Sequence, residues 1–239
     1  MHAALLTLHL PLASAYFGGF DYDVTHFIRG LNNGGLLNTL FWWVTFTGSI
    51  TFMVLITIAL YVAGLRKEAL VFAIIFILTT AFATAVKYAV ARPRPSDLGV
   101  VPEAEPSFPS AHTANAFAFA TTLSSYHRKF TIVLFAWAIL VGFSRLYLGL
   151  HYFTDIIGGA ILGIVVSLVV THAAGRVDGE LTRIVHESPM PTTWKGVFKV
   201  PLVVALQFFQ VAYALGTELI REIMRIIGRK RRDRRGRWN

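Results

Sequence analysis

Apolar stretches long enough to cross a bilayer recur along this chain, at residues 40–65, 69–91, 130–150 and 153–173. A helix needs about 20 such residues to span the hydrocarbon core. The pattern predicts an all-α membrane protein, and composition agrees: charged residues are 15% of the 239, against about 25% in soluble domains. One helical domain filling most of the chain is the economical arrangement. There is no cysteine, which removes disulfides and thiolate-held metals from consideration.

Residues 1–15 are apolar but short, interrupted by Pro11, and lack the leading basic residue of a secretory signal. Spanning and lying in the interface are both open to them. Residues 20–33 carry Asp21, Asp23, His26 and Arg29 and run into Asn32-Asn33-Gly34-Gly35. They are too polar to span and closed by a turn signal, so a short interfacial helix is expected. The first transmembrane helix is expected over 40–65, with Trp42 and Trp43 as an aromatic anchor and Arg66 and Lys67 at its far end. The second, 69–91, has Lys87 as its one charge. A loop at 92–109 follows, with five of the nine prolines and the acids Asp97, Glu103 and Glu105. A third helix, from about 110 to 125, is rich in Ala and Thr and small enough to pack tightly. His127, Arg128 and Lys129 turn the chain into the crossings at 130–150 and 153–173, the latter with Gly159-x-x-x-Gly163, a pattern for close helix contact.

If these helices alternate in direction, Lys87, the loop at Arg94, His112 and the stretch 144–155 arrive at one membrane face. The other face receives Arg66, Lys67, Arg128, Lys129 and Arg176, which the positive-inside rule places in the cytoplasm. The polar cluster is therefore expected to face outward. Residues 200–217 are apolar enough to span, yet a further crossing would carry the tail at 229–237 outward. That tail, RKRRDRRGR, has seven basic residues and one acid, and so supplies +6 of the net charge of +9. Ile220, Ile223, Met224 and Ile227 form a stripe away from Arg221 and Arg225. The expected arrangement is an amphipathic helix along, or re-entering, the cytoplasmic leaflet, with the tail on anionic headgroups, where each Lys or Arg is worth about 1 kcal/mol. A solvated tail is the plainer alternative, and no nucleic-acid-binding fold accompanies it. The resulting division is 1–35, an apolar segment and interfacial helix; 36–175, the catalytic transmembrane core; and 176–239, a C-terminal extension.

The stretch 144–155, SRLYLGLHYFTD, sets an arginine, a histidine and an aspartate between two apolar runs. His151 and Asp155 are four apart; on a helix they share a face, and the carboxylate can accept from one ring nitrogen. The other nitrogen is then unprotonated and nucleophilic. Arg145 brings a fixed positive charge, suited to a phosphoryl group. Ser110 in Pro109-Ser110-Ala111-His112 reads as an N-cap, at a helix start whose free amides favour anions. Each residue also has a plainer reading: Lys87 snorkelling to the interface, Arg92 and Arg94 as loop charges, His112 as an interfacial histidine, His151 and Asp155 as a structural hydrogen bond. These would all have to hold at one face together.

Three ordered motifs resemble the type 2 phosphatidic acid phosphatase family, which shares them with vanadium haloperoxidases and glucose-6-phosphatase. They are Lys87 with six residues to Arg94-Pro95; Pro109-Ser110-Ala111-His112; and Ser144-Arg145 with five residues to His151 and three more to Asp155. The resemblance covers roughly 20–173. It implies about six transmembrane helices and metal-independent hydrolysis of a phosphate ester, with no cofactor. Carried onto matched positions, it makes His151 the nucleophile oriented by Asp155 and His112 the proton donor. Lys87, Arg94, Ser110, Ala111 and Arg145 then bind the phosphate. Ala111 stands where the family usually has glycine; a positive φ there would cost about 1 kcal/mol, and a negative one would only narrow the pocket.

A phosphate site at the membrane surface suits a lipid phosphate: phosphatidic acid, phosphatidylglycerophosphate or a polyprenyl diphosphate such as undecaprenyl diphosphate. An outward site in a prokaryotic plasma membrane favours the last two, with the diphosphate ahead. The alternatives are a phosphatase for a soluble ester and a non-catalytic phospholipid-binding or transport protein. A metal site on His112, His151 and Asp155 would sit against three repelling cations. The residues do not speak to oligomeric state.

Overall fold

The computed structural model describes residues 19–95, 105–187 and 200–235. Residues 1–15, whose placement the sequence leaves open, lie outside the described residues, as do Asp97 and Glu103. Among the described residues every regular element is helical.

The first helix, α1 (Gly19–Gly30), is amphipathic in an unusual sense: its inner face is polar. Asp21 and Thr25, one turn apart, are buried, while Phe20 and Phe27 are each 71% exposed. This is the short helix expected over 20–33. The turn after it depends on glycine, since Gly34 and Gly35 have φ of 79° and 66°. The Asn32 side chain accepts from Gly34 N (2.9 Å) and donates to the carbonyl of Tyr147 (3.2 Å), which ties this turn to the bundle.

The apolar run 40–65, expected as one helix, is instead two. Helices α2 (Gly35–Phe46) and α3 (Ile50–Val62) meet at a bend of 58°. Thr47, Gly48 and Ser49 supply the break. Ser49 Oγ accepts from Phe52 N (3.3 Å) and starts α3 as an N-cap. At Gly48 a Cβ would lie 2.7 Å from Val141 Cγ1 and 3.0 Å from the carbonyl oxygen of His112. Only glycine lets the chain pass there, and the bend leaves α2 tipped over the end of the bundle that holds His112.

Helices α4 (Arg66–Val90), α5 (Ala111–Tyr126), α6 (Thr131–Tyr147, after a 3₁₀ turn at Arg128–Phe130) and α7 (Phe153–Arg176) complete the bundle. The segments Arg66–Val90, Arg128–Tyr147 and Phe153–Arg176 are long and apolar enough to cross a membrane, and the bent pair α2–α3 qualifies as one further span. Large apolar side chains such as Ile132, Val133, Ile139, Ile161 and Leu168 are exposed on the outside of these helices. Water would penalise that surface, and a bilayer accepts it. The chain is an integral membrane protein.

The central helix is α5, buried at every position from Thr113 to Thr122, which is why its hydrophobicity has no preferred side. Its closest neighbour is α7, and two glycines make that approach possible. A Cβ on Gly159 would stand 2.5 Å from the carbonyl oxygen of Ser110, and one on Gly163 would collide with the carbonyl oxygen of Ala114. The glycine pair expected to mark close contact does so. Thr122 and Ser167 pair across the same seam at 2.7 Å.

Beyond α7 come α8 (Asp178–Glu187) and α9 (Val200–Arg235). Residues 203–228 of α9 are long and apolar enough to span, but the anchoring contacts lie at the basic end of the bundle. Gln207, fully buried, accepts from Tyr61 Oη and donates to the carbonyl of Val185. Arg176 Nη1 lies 2.8 Å from Glu222. These two positions are about 22 Å apart along a helix, yet both touch the end where Arg66, Lys67 and Arg176 sit. These contacts tie α9 to the basic end of the bundle. The side chains of 229–237 lie outside the described residues.

At the other end, Ala91 caps α4 with φ 50° and ψ 37°, a left-handed conformation. It redirects the chain from Lys87 toward Arg92 and Arg94. Alanine holds this geometry at a cost of about 1 kcal/mol. Ala91→Gly is expected to raise the thermal midpoint of unfolding in detergent, and Ala91→Val to lower it.

Candidate active site

Three connections converge at the end opposite the basic residues: the one after α4, the start of α5 and the turn from α6 to α7. That turn is made by Gly149 at φ 71°, with Leu150 N donating to the carbonyl of Arg145 (2.9 Å). His151 sits in the turn, two residues ahead of α7, while Asp155 lies in the first turn of that helix. The pairing foreseen from a shared helical face is present, but through a different geometry. His151 Nδ1 is 3.2 Å from Asp155 Oδ2, and the same oxygen accepts from Tyr152 N at 2.9 Å. Asp155 thus caps its own helix while it holds the ring, and both side chains are buried.

The opposite ring nitrogen faces Arg94. Its Nη1 is 3.1 Å from His151 Nε2 and donates to the carbonyl of Leu150 (2.8 Å), and its Nε donates to the carbonyl of Glu105 (2.9 Å). Guanidinium has no acceptor, so His151 Nε2 must be the accepting nitrogen and Nδ1 must carry the proton that meets Asp155. Contacts on both sides of the ring select one tautomer, with its lone pair on Nε2.

Lys87 is 2% exposed; Nζ donates to the carbonyl of Pro106 and stands 3.7 Å from Glu105 Oε2. A snorkelling lysine would carry its ammonium to water; this one is buried against protein. Arg145 is also buried, with Nη1 donating to Thr45 Oγ1 at 3.1 Å, a residue at the tipped end of α2. Ser110 is the N-cap of α5: its Oγ accepts from Thr113 N (3.4 Å), and its own N–H donates to the main-chain oxygen of Asp155 (3.0 Å). That bond joins the start of α5 to the start of α7. Ala111 does not have a positive φ, so its methyl costs no backbone strain. His112 is partly buried, against Gly48, with Arg145, Arg94 and Lys87 as its cationic neighbours and His151 beside it. All eight residues singled out from sequence thus meet at one end of the bundle.

Sequence reasoning missed two buried charges beside them. Arg92 donates through Nη1 to Asp155 Oδ1 (2.7 Å) and Thr154 Oγ1 (2.7 Å), and through Nη2 to Asp21 Oδ2 (2.5 Å); its guanidinium lies over the Tyr152 ring at 4.0 Å. Asp21 in turn accepts from Thr154 N (2.8 Å), and Thr25 Oγ1 accepts from Phe153 N (3.1 Å). The available signal was the spacing of Asp21 and Thr25 on a short helix. It does not say what they face, since their partners lie 71 to 133 residues away.

The model of the PAP2 superfamily matches residues 68–177. A lipid A 4'-phosphatase of Bacteroides thetaiotaomicron is 47% identical over 58 residues, covering 23% of this chain and 26% of that protein. The undecaprenyl-diphosphatase BcrC of Bacillus subtilis is 35% identical over 66 residues, covering 28% and 34%. The chain thus matches about a quarter to a third of the length of these relatives. The crystal structure of a transmembrane PAP2-type phosphatidylglycerolphosphate phosphatase from Bacillus subtilis is similar with a TM-score of 0.60 at 26% identity, over 73% of this chain and 96% of that one.

Proposed function

From the match of residues 68–177 to the PAP2 superfamily, we propose that this chain is a lipid phosphatase working through a phosphohistidine on His151. The observation that carries the reading is the ring of His151, held by Asp155 at Nδ1 and by Arg94 at Nε2. Nothing in a purely structural hydrogen bond calls for the second, cationic partner.

In the first step Arg94 turns from His151 Nε2 to a phosphate oxygen, Nε2 donates its lone pair to phosphorus while the bond from phosphorus to the leaving oxygen breaks, and His112, protonated once the negative charge of the bound phosphate offsets the cations around it, transfers its proton to that oxygen. Asp155 stabilises the positive charge that develops on the imidazole. In the second step His112, now neutral, takes a proton from water. The water oxygen bonds to phosphorus, the P–N bond breaks, and phosphate leaves with both histidines restored. Lys87, Arg94 and Arg145, with Ser110 and the main-chain amides at Ala111 and His112, hold the equatorial oxygens, where transition-state charge gathers.

The substrate class follows from placement. The site lies at one end of a membrane-embedded bundle, within reach of a headgroup whose tail stays in the bilayer. Relatives are named for lipid A, undecaprenyl diphosphate and phosphatidylglycerolphosphate. The basic end fits the cytoplasmic side, which turns the site outward, where a polyprenyl diphosphate is the favoured substrate. Helix α9 and the basic segment after it then lie on anionic lipid at the cytoplasmic face. The boundaries near 35 and 175 separate α1 and the α8–α9 extension from the catalytic core.

The test is phosphate release by detergent-purified protein from undecaprenyl diphosphate, phosphatidic acid and a soluble phosphate monoester, with EDTA present. Chelator-resistant release, fastest from the diphosphate, is expected. Release from the soluble ester alone would favour the soluble-substrate alternative, and loss on adding EDTA would move the histidines to a metal.

A further inference from the structure

We infer that Asp21, on the short helix outside the catalytic core, is a positioning residue for the nucleophile: it acts through Arg92 on Asp155 and through Thr154 on the start of α7. The inference rests on the reading of His151 as nucleophile.

Charges run in a line from the ring outward. His151 Nδ1 meets Asp155 Oδ2; Asp155 Oδ1 meets Arg92 Nη1; Arg92 Nη2 meets Asp21 Oδ2. Asp155, Arg92 and Asp21 are 0%, 6% and 3% exposed, so water screens none of these contacts well. Arg92 alone would draw down the field of Asp155, which the imidazole needs as it becomes cationic on bonding to phosphorus. Asp21 offsets Arg92, leaving the three groups with a net charge of −1 against the ring.

The same carboxylate also fixes where the line begins. The first N–H groups of a helix have no partner within it, and α1 supplies them from outside: Asp21 Oδ1 accepts from Thr154 N and Thr25 Oγ1 accepts from Phe153 N. A segment more than a hundred residues upstream thereby caps the helix that presents Asp155. The exposed Phe20 and Phe27 lie on the other side of α1, where the bilayer interface would hold it. Asp21 does not touch the site where phosphate would bind, so its contribution belongs to turnover and not to binding.

The experiment compares kcat and KM for phosphate release by wild type, Asp21→Asn, Arg92→Lys and His151→Ala in mixed micelles, per mole of folded, monodisperse protein. Asp21→Asn keeps an acceptor for Thr154 N but removes the charge. It is expected to lower kcat about 10- to 100-fold with KM within about twofold. Arg92→Lys keeps a charge but loses the fork that reaches both carboxylates, and should act on kcat in the same way; it also decides the matter should Asp21→Asn fail to fold. A kcat within twofold of wild type in the folded variants, or a change confined to KM, would overturn the inference. Turnover surviving in His151→Ala would overturn the nucleophile assignment and this inference with it. An inactive His151→Ala beside a wild-type kcat in Asp21→Asn would overturn this inference alone.

Discussion

His151→Ala is expected to reduce phosphate release by about 10⁴-fold or more, because the variant lacks the atom proposed to bond to phosphorus and the remaining groups would only bind and polarise. The bundle should survive the change. His151 lies in a turn before α7 and is not part of the α5–α7 seam, so size-exclusion behaviour and thermal midpoint are expected to stay near wild type. Asp155→Asn should cost less, about 10²-fold: the nucleophile is still present, but its proton can move to the wrong nitrogen. The ranking is itself informative. If Asp155 served only as a helix cap, Asp155→Asn would keep much of that function through its amide oxygen and would leave kcat unchanged. Quenching a reaction on ³²P-labelled lipid should trap acid-labile, protein-bound label in wild type and none in His151→Ala.

The second large effect is architectural. Gly163→Ala is expected to destabilise the protein by about 3 kcal/mol or more, because the new methyl meets main-chain atoms of α5 that cannot rotate away. The carbonyl oxygen of Ala114 and, at 2.9 Å, the amide nitrogen of Ala118 occupy the space. Relief requires α5 and α7 to separate. Those two helices carry Ser110 and His112 on one side and Asp155 on the other, joined by the bond from Ser110 N to the carbonyl of Asp155. A thermal midpoint lowered by several degrees, with kcat per folded molecule also reduced, is the expected pair of results. Gly175→Ala, where a Cβ would meet nothing within 4 Å, should leave the midpoint unchanged or raise it slightly, since alanine favours the helix. An equal lowering at both positions would show that contact with α5 is not the cause.

Much of this was legible in the chain because it is local. Apolar runs announce spans, since lipid demands about twenty such residues in a row wherever a helix crosses. Lys87, Arg94, Ser110, His112, Arg145, His151 and Asp155 sit at the ends of those runs, and alternation of direction is enough to bring them to one face. Gly159 and Gly163 could be read as a close contact for a similar reason, as glycines four apart share one side of a helix. The break at Gly48 was not legible. Phenylalanine, leucine and valine lie on both sides of it, and hydropathy does not register that a Cβ would strike Val141 and His112.

The sequence by itself determined the class of fold, the end of the bundle where the charges gather, and the residues proposed to attack and bind phosphorus. Only the tertiary structure decided which of them hold one another. Arg94, and not Arg145, meets the ring nitrogen of His151. Arg92, which from sequence passed for a loop charge, joins two carboxylates at the back of the site. Asp21 belongs to the same group although α1 is the first helix described and α7 follows it by more than a hundred residues. The physical reason is that a buried charge must be paired wherever it ends up. Its own identity shows that it needs a partner, and packing alone decides which distant residue can reach it.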